Sequence, residues 1–181
     1  MKLLTIAILV IGLATGCSNN KWSGKATVTK PLQEDTMPDK MPDDFHFKMS
    51  YGVGAKNEID TFKGVYTKDL VLDGVVQTEL VFTNEERERI YGEMKKIELL
   101  VRSKKVTNQT EDGSYCGSDP VESTIISMVI NGETLEVSWT TDNCQTQDLL
   151  ELEGFVDFIH KELIVTKKEY QKLPSGTGGY D

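Results

Sequence analysis

Two dipeptides, Asp73-Gly74 and Asn131-Gly132, each lie between two runs that are rich in apolar and β-branched residues. Asp-Gly and Asn-Gly tolerate the positive φ angles of a type I′ turn, which joins neighbouring antiparallel strands. A slip of one residue would turn the apolar side of a strand to water, so these turns restrict how the chain can pair. We therefore predict two β-hairpins, one around each dipeptide.

The first hairpin, across residues 65–82, has a register that its predicted turn sets. Its apolar face would pair Val65 with Phe82, Thr67 with Leu80, and Val71 with Val76. On the other face Lys68 would lie opposite Glu79, and oppositely charged cross-strand pairs stabilise a sheet. The same register thus gives apolar pairs on one face and an oppositely charged pair on the other, which favours it.

The second hairpin, across residues 122–139, places its facing apolar pairs on one side of the sheet. The predicted pairs are Thr124 with Trp139, Ile126 with Val137, and Met128 with Leu135. Continued past the strands, this register brings Cys116 and Cys144 to the open end of the hairpin. In an oxidising compartment a disulfide is expected there, and closing a loop of about thirty residues would contribute about 3–4 kcal/mol on the chain-entropy model. A redox or metal pair is the alternative, but the sequence has no C-x-x-C spacing and no histidine near either cysteine.

Three further segments carry the periodicity of regular structure. Alternating apolar residues predict a half-buried strand at 45–51, with His46 on its polar face. Thr83 and Glu86 have capping-box spacing at the start of an amphipathic helix, and residues 148–164 predict a second helix. The predicted buried stripes are Ile90, Met94 and Ile97 in the first helix, and Leu149, Leu152, Val156, Ile159 and Leu163 in the second. The chain thus predicts an α+β fold, a mainly antiparallel sheet built from two hairpins with two helices packed on one face.

An unbroken apolar run at residues 3–14 follows a short basic start and ends just before Cys17. The run is too short for a spanning helix, which needs ~20 apolar residues, but it suits the core of a signal peptide. Small residues directly before the cysteine make this site resemble the lipobox of bacterial lipoproteins. The resemblance implies that residues 1–16 are removed and that Cys17 carries a diacylglyceryl anchor. A plain secreted protein with an incidental cysteine is the alternative.

The predicted anchor determines where the protein would reside and how its chain is divided. Two acyl chains, at ~0.8 kcal/mol per buried methylene, hold a protein stably on a membrane. We expect the folded part on the extracytoplasmic face of the cell membrane, or at the outer membrane in a Gram-negative cell. The segments would be a lipidated N-terminus and flexible tether at 17–44, a single domain at 45–174 and a flexible tail at 175–181. Part of the tether, around Trp22, could instead pack on the domain.

The charge of the chain restricts its partners. Asp and Glu number 29 against 20 Lys and Arg, for a formal net charge of -9. Removing residues 1–16, whose one charged residue is Lys2, moves this to about -10. An acidic surface argues against nucleic acid, whose affinity rests on Lys and Arg at phosphates, and against electrostatic binding to anionic lipid. The membrane contact that we expect is the lipid on Cys17 alone.

No motif in the chain predicts catalysis, a cofactor or a metal site. Its two histidines, His46 and His160, lie on separate predicted elements, and we expect His160 to be packed or solvated rather than ligating. The loop that holds Glu111, Asp112 and Asp119 could bind Ca²⁺ weakly, but it lacks the residue order of a dedicated site. Carboxylates are plentiful, so a glycosidase-like acid pair stays open as an alternative.

Three stretches, YGVGAKNEIDTF, YTKDLVLDG and EYQKLPSGTGGYD, resemble small bacterial envelope lipoproteins of uncharacterised function, mostly from Firmicutes. The similarity covers nearly all of the mature domain. Because that family has no assigned chemistry, the resemblance implies no catalytic residues.

Two functions from different classes follow from these observations. The first is a non-catalytic, lipid-anchored module that binds an envelope protein or a small ligand through a sheet face, a sheet edge or the loops near Cys116 and Cys144. The second is a small carboxylate-dependent hydrolase of the envelope, which would need two close carboxyl groups with perturbed pKa values in a pocket. A pure spacer is a third possibility, and it predicts a uniformly polar surface without a cleft.

Overall fold

The computed structural model describes residues 36–180, and within that range the chain forms a six-stranded antiparallel sheet with helices. The strands are β1 (His46–Tyr51), β2 (Asn57–Asp60), β3 (Val65–Asp69), β4 (Val75–Glu79), β5 (Ser123–Ile130) and β6 (Glu133–Thr140). The helices are α1 (Asn84–Lys96), α2 (Leu99–Arg102), α3 (Gln147–Asp157), which continues into a π-helical segment (Phe158–Ile164), and α4 (Lys168–Gln171). The α+β class and the antiparallel sheet are confirmed. No helix among residues 36–180 is long and apolar enough to cross a membrane.

Strand β1 lies inside the sheet and pairs with β2 on one side and β5 on the other, in the order β4-β3-β2-β1-β5-β6. Phe47, Met49 and Tyr51 are buried, whereas His46 and Lys48 are half-buried on the opposite face. This is the alternation predicted for residues 45–51. The buried side chains of the sheet and of the helices form a single apolar cluster. The prediction of two hairpins omitted β2, which links β1 to β3 in a four-stranded meander.

The β5–β6 hairpin has the predicted register. Its ladder includes the pairs Thr124 with Trp139, Ile126 with Val137, and Met128 with Leu135. Asn131 and Gly132 have φ angles of 53° and 79°, as a turn with two left-handed residues requires. Asp44 accepts hydrogen bonds from both of their backbone N–H groups, at 3.0 and 2.5 Å, and so stabilises the turn.

The predicted register of the first hairpin is wrong by three positions. Val65 pairs with Glu79 rather than with Phe82, and Lys68 pairs with Val76 rather than with Glu79. The strands separate at residues 70–74, where the N–H of residue 70 donates to the carbonyl of residue 74 at 2.8 Å. The turn is therefore centred on residue 72 and not on the Asp-Gly dipeptide.

The C-terminal segment 175–180 explains this shifted turn. Thr177 donates its N–H to the Leu70 carbonyl at 3.1 Å and accepts the N–H of Leu72 at 3.3 Å. The Thr177 hydroxyl also donates to Asp73 at 2.5 Å, and Tyr180 donates to Asp69. These contacts compete with the local preference of Asp-Gly for a two-residue turn. Within the segment predicted as a flexible tail at 175–181, Thr177 and Tyr180 thus contact strand β3 and the β3–β4 loop.

The helices bury the stripes that the sequence predicts. The buried members of these stripes are Ile90, Met94, Ile97, Leu149, Leu152, Ile159 and Leu163, while Val156 is half-buried. Thr83 and Glu86 form the predicted capping box at the start of α1. Two helices are too few, however, because α2 and α4 are present as well.

The predicted tether at 17–44 is only partly described, and Cys17 and Trp22 lie outside the described residues. Residues 36–44 pack on the domain rather than extending from it. Met37 is buried, Tyr91 donates its hydroxyl to the Pro38 carbonyl at 2.8 Å, and Lys95 pairs with Asp39 at 2.5 Å. The described part of the predicted tether, residues 36–44, therefore contacts the domain that we predicted to begin at residue 45.

The capping box of α1 gives a direct test of the fold. Thr83 Oγ1 accepts the N–H of Glu86 at 3.2 Å, and the Glu86 carboxylate accepts the N–H of Thr83 at 2.8 Å. We expect Thr83→Ala to lower the free energy of unfolding by about 1 kcal/mol, because an N-cap oxygen is lost. Thr83→Ser, which keeps the oxygen, should remain close to wild type. Equal stability of all three proteins in urea unfolding would contradict this role.

Candidate functional site

A disulfide between Cys116 and Cys144 closes the open end of the β5–β6 hairpin, as predicted. Their Cα atoms lie 5.1 Å apart, although the residues are 28 positions apart in the sequence. Next to this end, the N–H of Thr141 donates to the Glu122 carbonyl at 3.0 Å. The hydrogen-bonded pairing of the hairpin therefore continues beyond the two strands, toward the disulfide.

The loops at this end are held together by further hydrogen bonds. The backbone N–H groups of Cys144 and Cys116 donate to the carbonyls of Thr107 and Asn108, at 2.7 and 2.9 Å. A side-chain contact also joins these loops, because the Ser118 hydroxyl lies 2.5 Å from the hydroxyl of Thr141. The loops at residues 107–122 and 141–146 are thus held together, and we call them the rim of the open end of the hairpin.

Three clefts open around this rim. The disulfide cleft, about 500 Å³, lies between residues 116–122 and Glu153. The helix cleft, about 230 Å³, lies between Trp139 and α3, and the strand cleft, about 410 Å³, lies between Ser103 and β6. Glu122, Thr141 and Glu153 line both the disulfide and helix clefts, whereas Thr124 and Trp139 line both the helix and strand clefts. The three clefts therefore form one connected region of the surface, which we take as the candidate functional site.

The helix cleft is acidic. Burial raises the pKa of Glu153, and the negative charges of Glu122 and Asp157 raise it further. Among residues 36–180 no Lys, Arg or His lines this cleft, and its other described wall residues are uncharged. Glu153 therefore keeps its proton to a higher pH than an ordinary glutamate does.

A carboxyl group with a raised pKa beside a second carboxylate is an arrangement that general acid–base chemistry uses. The same arrangement can bind a cationic group, since each carboxylate accepts hydrogen bonds from N–H donors. Sequence patterns gave no sign of this pair, because Glu122 and Glu153 are far apart in the chain. The one available signal was the predicted register of the second hairpin, whose extension by one pair places Glu122 opposite Thr141.

A separate polar cluster lies between the sheet and the π-helical segment. The Tyr51 hydroxyl is 2.7 Å from Nδ1 of His160 and 3.1 Å from the hydroxyl of Tyr66. Burial lowers the pKa of His160 and raises that of Tyr66 to about 12, so both groups are uncharged at neutral pH. Tyr170 contacts the rings of both. His160 is therefore packed within the fold, which is one of the two states expected for it.

Of the remaining residues considered from the sequence, His46, Glu111 and Asp112 do not line these clefts, and Asp119 is an exposed residue of the loop that borders the disulfide cleft. His46 Nδ1 is 3.1 Å from the Thr61 carbonyl on the open face of the sheet. Glu111 and Asp112 are exposed, and the Asp112 carboxylate accepts hydrogen bonds from its own turn. Among residues 36–180 no group of three or more His, Cys, Asp or Glu side chains could hold a metal ion.

Comparison with known proteins finds no family model that matches the chain and no curated protein that matches it significantly. We therefore base the function on the residues and the geometry of the chain itself.

The raised pKa of Glu153 predicts how stability depends on pH. Because its pKa in the folded protein lies above the ordinary value of 4.5, the folded state binds this proton more tightly than the unfolded state. Its contribution to the free energy of unfolding is therefore lost as the pH rises from about 4.5 through the folded pKa. We expect Glu153→Gln to remove this decrease and to be at least as stable as wild type at neutral pH.

The measurement is urea unfolding between pH 4 and pH 8. The matched control is Glu133→Gln, which changes an exposed glutamate at the start of β6. This variant should keep the pH dependence of wild type. The same pH dependence in wild type and Glu153→Gln would contradict the raised pKa.

Proposed function

We propose that this protein is a lipid-anchored, extracytoplasmic binding module of the bacterial cell envelope. In this proposal Cys17 carries the lipid, and the domain binds an envelope protein or a small ligand at the three clefts. The observation that carries the proposal is that these three clefts adjoin one another at the disulfide end of the β5–β6 hairpin, whereas two further clefts lie apart from them, beside residues 36–44. Their volumes of about 230 to 500 Å³ reach the range of small-molecule sites, ~300–1,000 Å³.

The position of the predicted anchor is compatible with access to these clefts. Residues 36–44 pack against α1 and end at Asp44, which binds the turn at the opposite end of the hairpin from the disulfide. No residue of 36–44 lines any of the three clefts. The nineteen residues from Cys17 to Asp35 can span at most about 65 Å, which bounds the distance between lipid and domain.

The clefts also favour binding over the role of a pure spacer. A spacer needs only a polar surface, whereas this region combines cavities with the apolar side chain of Ile125, which is 42% exposed. The disulfide and the hydrogen bonds of the rim fix the cleft walls before a ligand arrives. Such preorganisation lowers the entropic cost of binding.

The second candidate function is a small carboxylate-dependent hydrolase. The raised pKa of Glu153 beside Glu122 and Asp157 supports it, because one group would act as the acid and another as the base or nucleophile. We favour binding because three adjoining clefts support it, whereas the hydrolase rests on the acids of the helix cleft alone. Loss of a measured hydrolytic activity in both Glu122→Gln and Glu153→Gln would support the hydrolase instead.

The anchor and the site can be tested together in intact cells. We expect wild type in the membrane fraction and Cys17→Ser outside it, since a serine cannot receive the thioether-linked lipid. A photo-crosslinking amino acid at Gln145, an exposed residue that lines the disulfide cleft, should give a discrete adduct. The same group at Glu79, on the edge strand β4, is the matched control and should give none.

Two results would contradict the proposal. Membrane retention of Cys17→Ser would remove the lipid anchor. Equal adducts at both crosslinking positions, or no adduct at Gln145 together with no small ligand retained by the purified protein, would remove the binding role of the clefts.

A further inference from the structure

The strand cleft, about 410 Å³, lies beside β6, which is the last strand of the sheet. We propose that this cleft binds a neutral, hydroxyl-rich ligand, a saccharide of one or two rings. The proposal deepens the binding function above and rests on it, because it names the class of ligand.

Hydroxyl groups dominate the polar lining of this cleft. Ser123, Ser138 and Thr140 supply hydroxyls from the same face of the hairpin, while Ser103 and the buried Thr124 border the cleft from the other side. The Ser103 hydroxyl is buried and has no hydrogen-bond partner among the described residues. A serine or threonine hydroxyl both donates and accepts, which is also true of each sugar hydroxyl. Hydroxyl groups of the cleft can therefore form hydrogen bonds with those of a sugar in many relative orientations.

The cleft also holds one oriented amide. Asn143 lines it, and Oδ1 of Asn143 accepts the N–H of Thr140 at 3.0 Å. This bond fixes the orientation of the carboxamide and leaves its NH₂ group as a donor. A directional donor beside freely rotating hydroxyls adds selectivity among sugars.

The charge of the lining selects against ions. Of the described residues in this lining Glu136 alone is charged, and none of them is a Lys, Arg or His that could bind a phosphate or carboxylate ligand. The acidic helix cleft, by contrast, has Glu122, Glu153 and Asp157 together. The strand cleft is thus the part of the site that suits an uncharged molecule. Glu136 can accept hydrogen bonds from the hydroxyl groups of such a ligand.

Apolar atoms complete the lining. Ile125, which is 42% exposed, and Val106 line the cleft, and Trp139 borders it from the buried face of the hairpin with 5% of its surface exposed. Sugar rings carry C–H faces as well as hydroxyls, so a site with both apolar and hydroxyl groups can desolvate both. The volume lies near the lower end of the range of small-molecule pockets, ~300–1,000 Å³, which favours one or two rings over a long chain.

Binding of defined sugars to the full-length protein tests this inference. The protein is purified in a detergent whose headgroup is not a sugar, and it is titrated with cellobiose and with N,N′-diacetylchitobiose. Glucose 6-phosphate and spermidine serve as the anionic and cationic probes. We expect measurable binding of at least one neutral disaccharide, and weaker or no binding of both charged probes.

Two variants on β6 locate the site. Ser138→Ala removes an exposed hydroxyl of the cleft and should weaken disaccharide binding about five- to tenfold, as the loss of one hydrogen bond predicts. Thr134→Ala removes an exposed hydroxyl of the same strand outside the cleft, and it should bind like wild type. Since both residues are exposed, neither change should unfold the domain.

Three outcomes would overturn the inference. If Ser138→Ala leaves disaccharide binding unchanged, the sugar binds elsewhere. If a charged probe binds more tightly than the disaccharides, the ligand class that we propose is wrong. No disaccharide binding would also overturn it. If the crosslink at Gln145 still forms in that last case, the binding function stands and only the ligand class fails, whereas loss of both results removes the binding function too.

Discussion

The pairing of β1 with both β2 and β5 is the contact on which the rest of this fold depends. It joins a four-stranded meander to a separate hairpin, and the sequence between β4 and β5 contains α1 and α2. Phe47 and Met49 of β1 are fully buried against Ile126 and Met128 of β5. Each such side chain stabilises the folded state by about 1.5–3 kcal/mol when it leaves water. Because this core is large, we infer that the sheet does not need the disulfide to persist.

The disulfide has a more local role, which is to hold the rim of the candidate site. The β5–β6 register brings Thr124 and Trp139 to the wall shared by the helix and strand clefts. Beyond the strands, the loops are held by the bond between Cys116 and Cys144 and by a few hydrogen bonds. A rigid sheet with a tied rim is a common way to present a binding site on loops.

Local patterns predicted the elements whose partners are near in sequence. The turn at Asn131-Gly132, the capping box at Thr83 and the facing cysteines were all read correctly, because each depends on neighbouring residues or on one hairpin register. The first hairpin failed because Thr177, about a hundred positions away, binds its turn. The clefts were missed for the same reason, since their walls come from β5, β6, α3 and neighbouring loops, which only the tertiary fold assembles.

The β1–β5 pairing holds the sheet in this account, and the disulfide holds only the rim. Hydrogen–deuterium exchange on the full-length protein, with and without a reducing agent, tests this most directly. The exchange of backbone amides is compared between the rim, residues 107–122 and 141–146, and strands β1 and β5. We predict that reduction accelerates exchange in the rim, while the amides of β1 and β5 remain protected. Loss of protection in β1 and β5 together with the rim would show that the disulfide holds the whole fold, and would contradict the central role of the β1–β5 pairing.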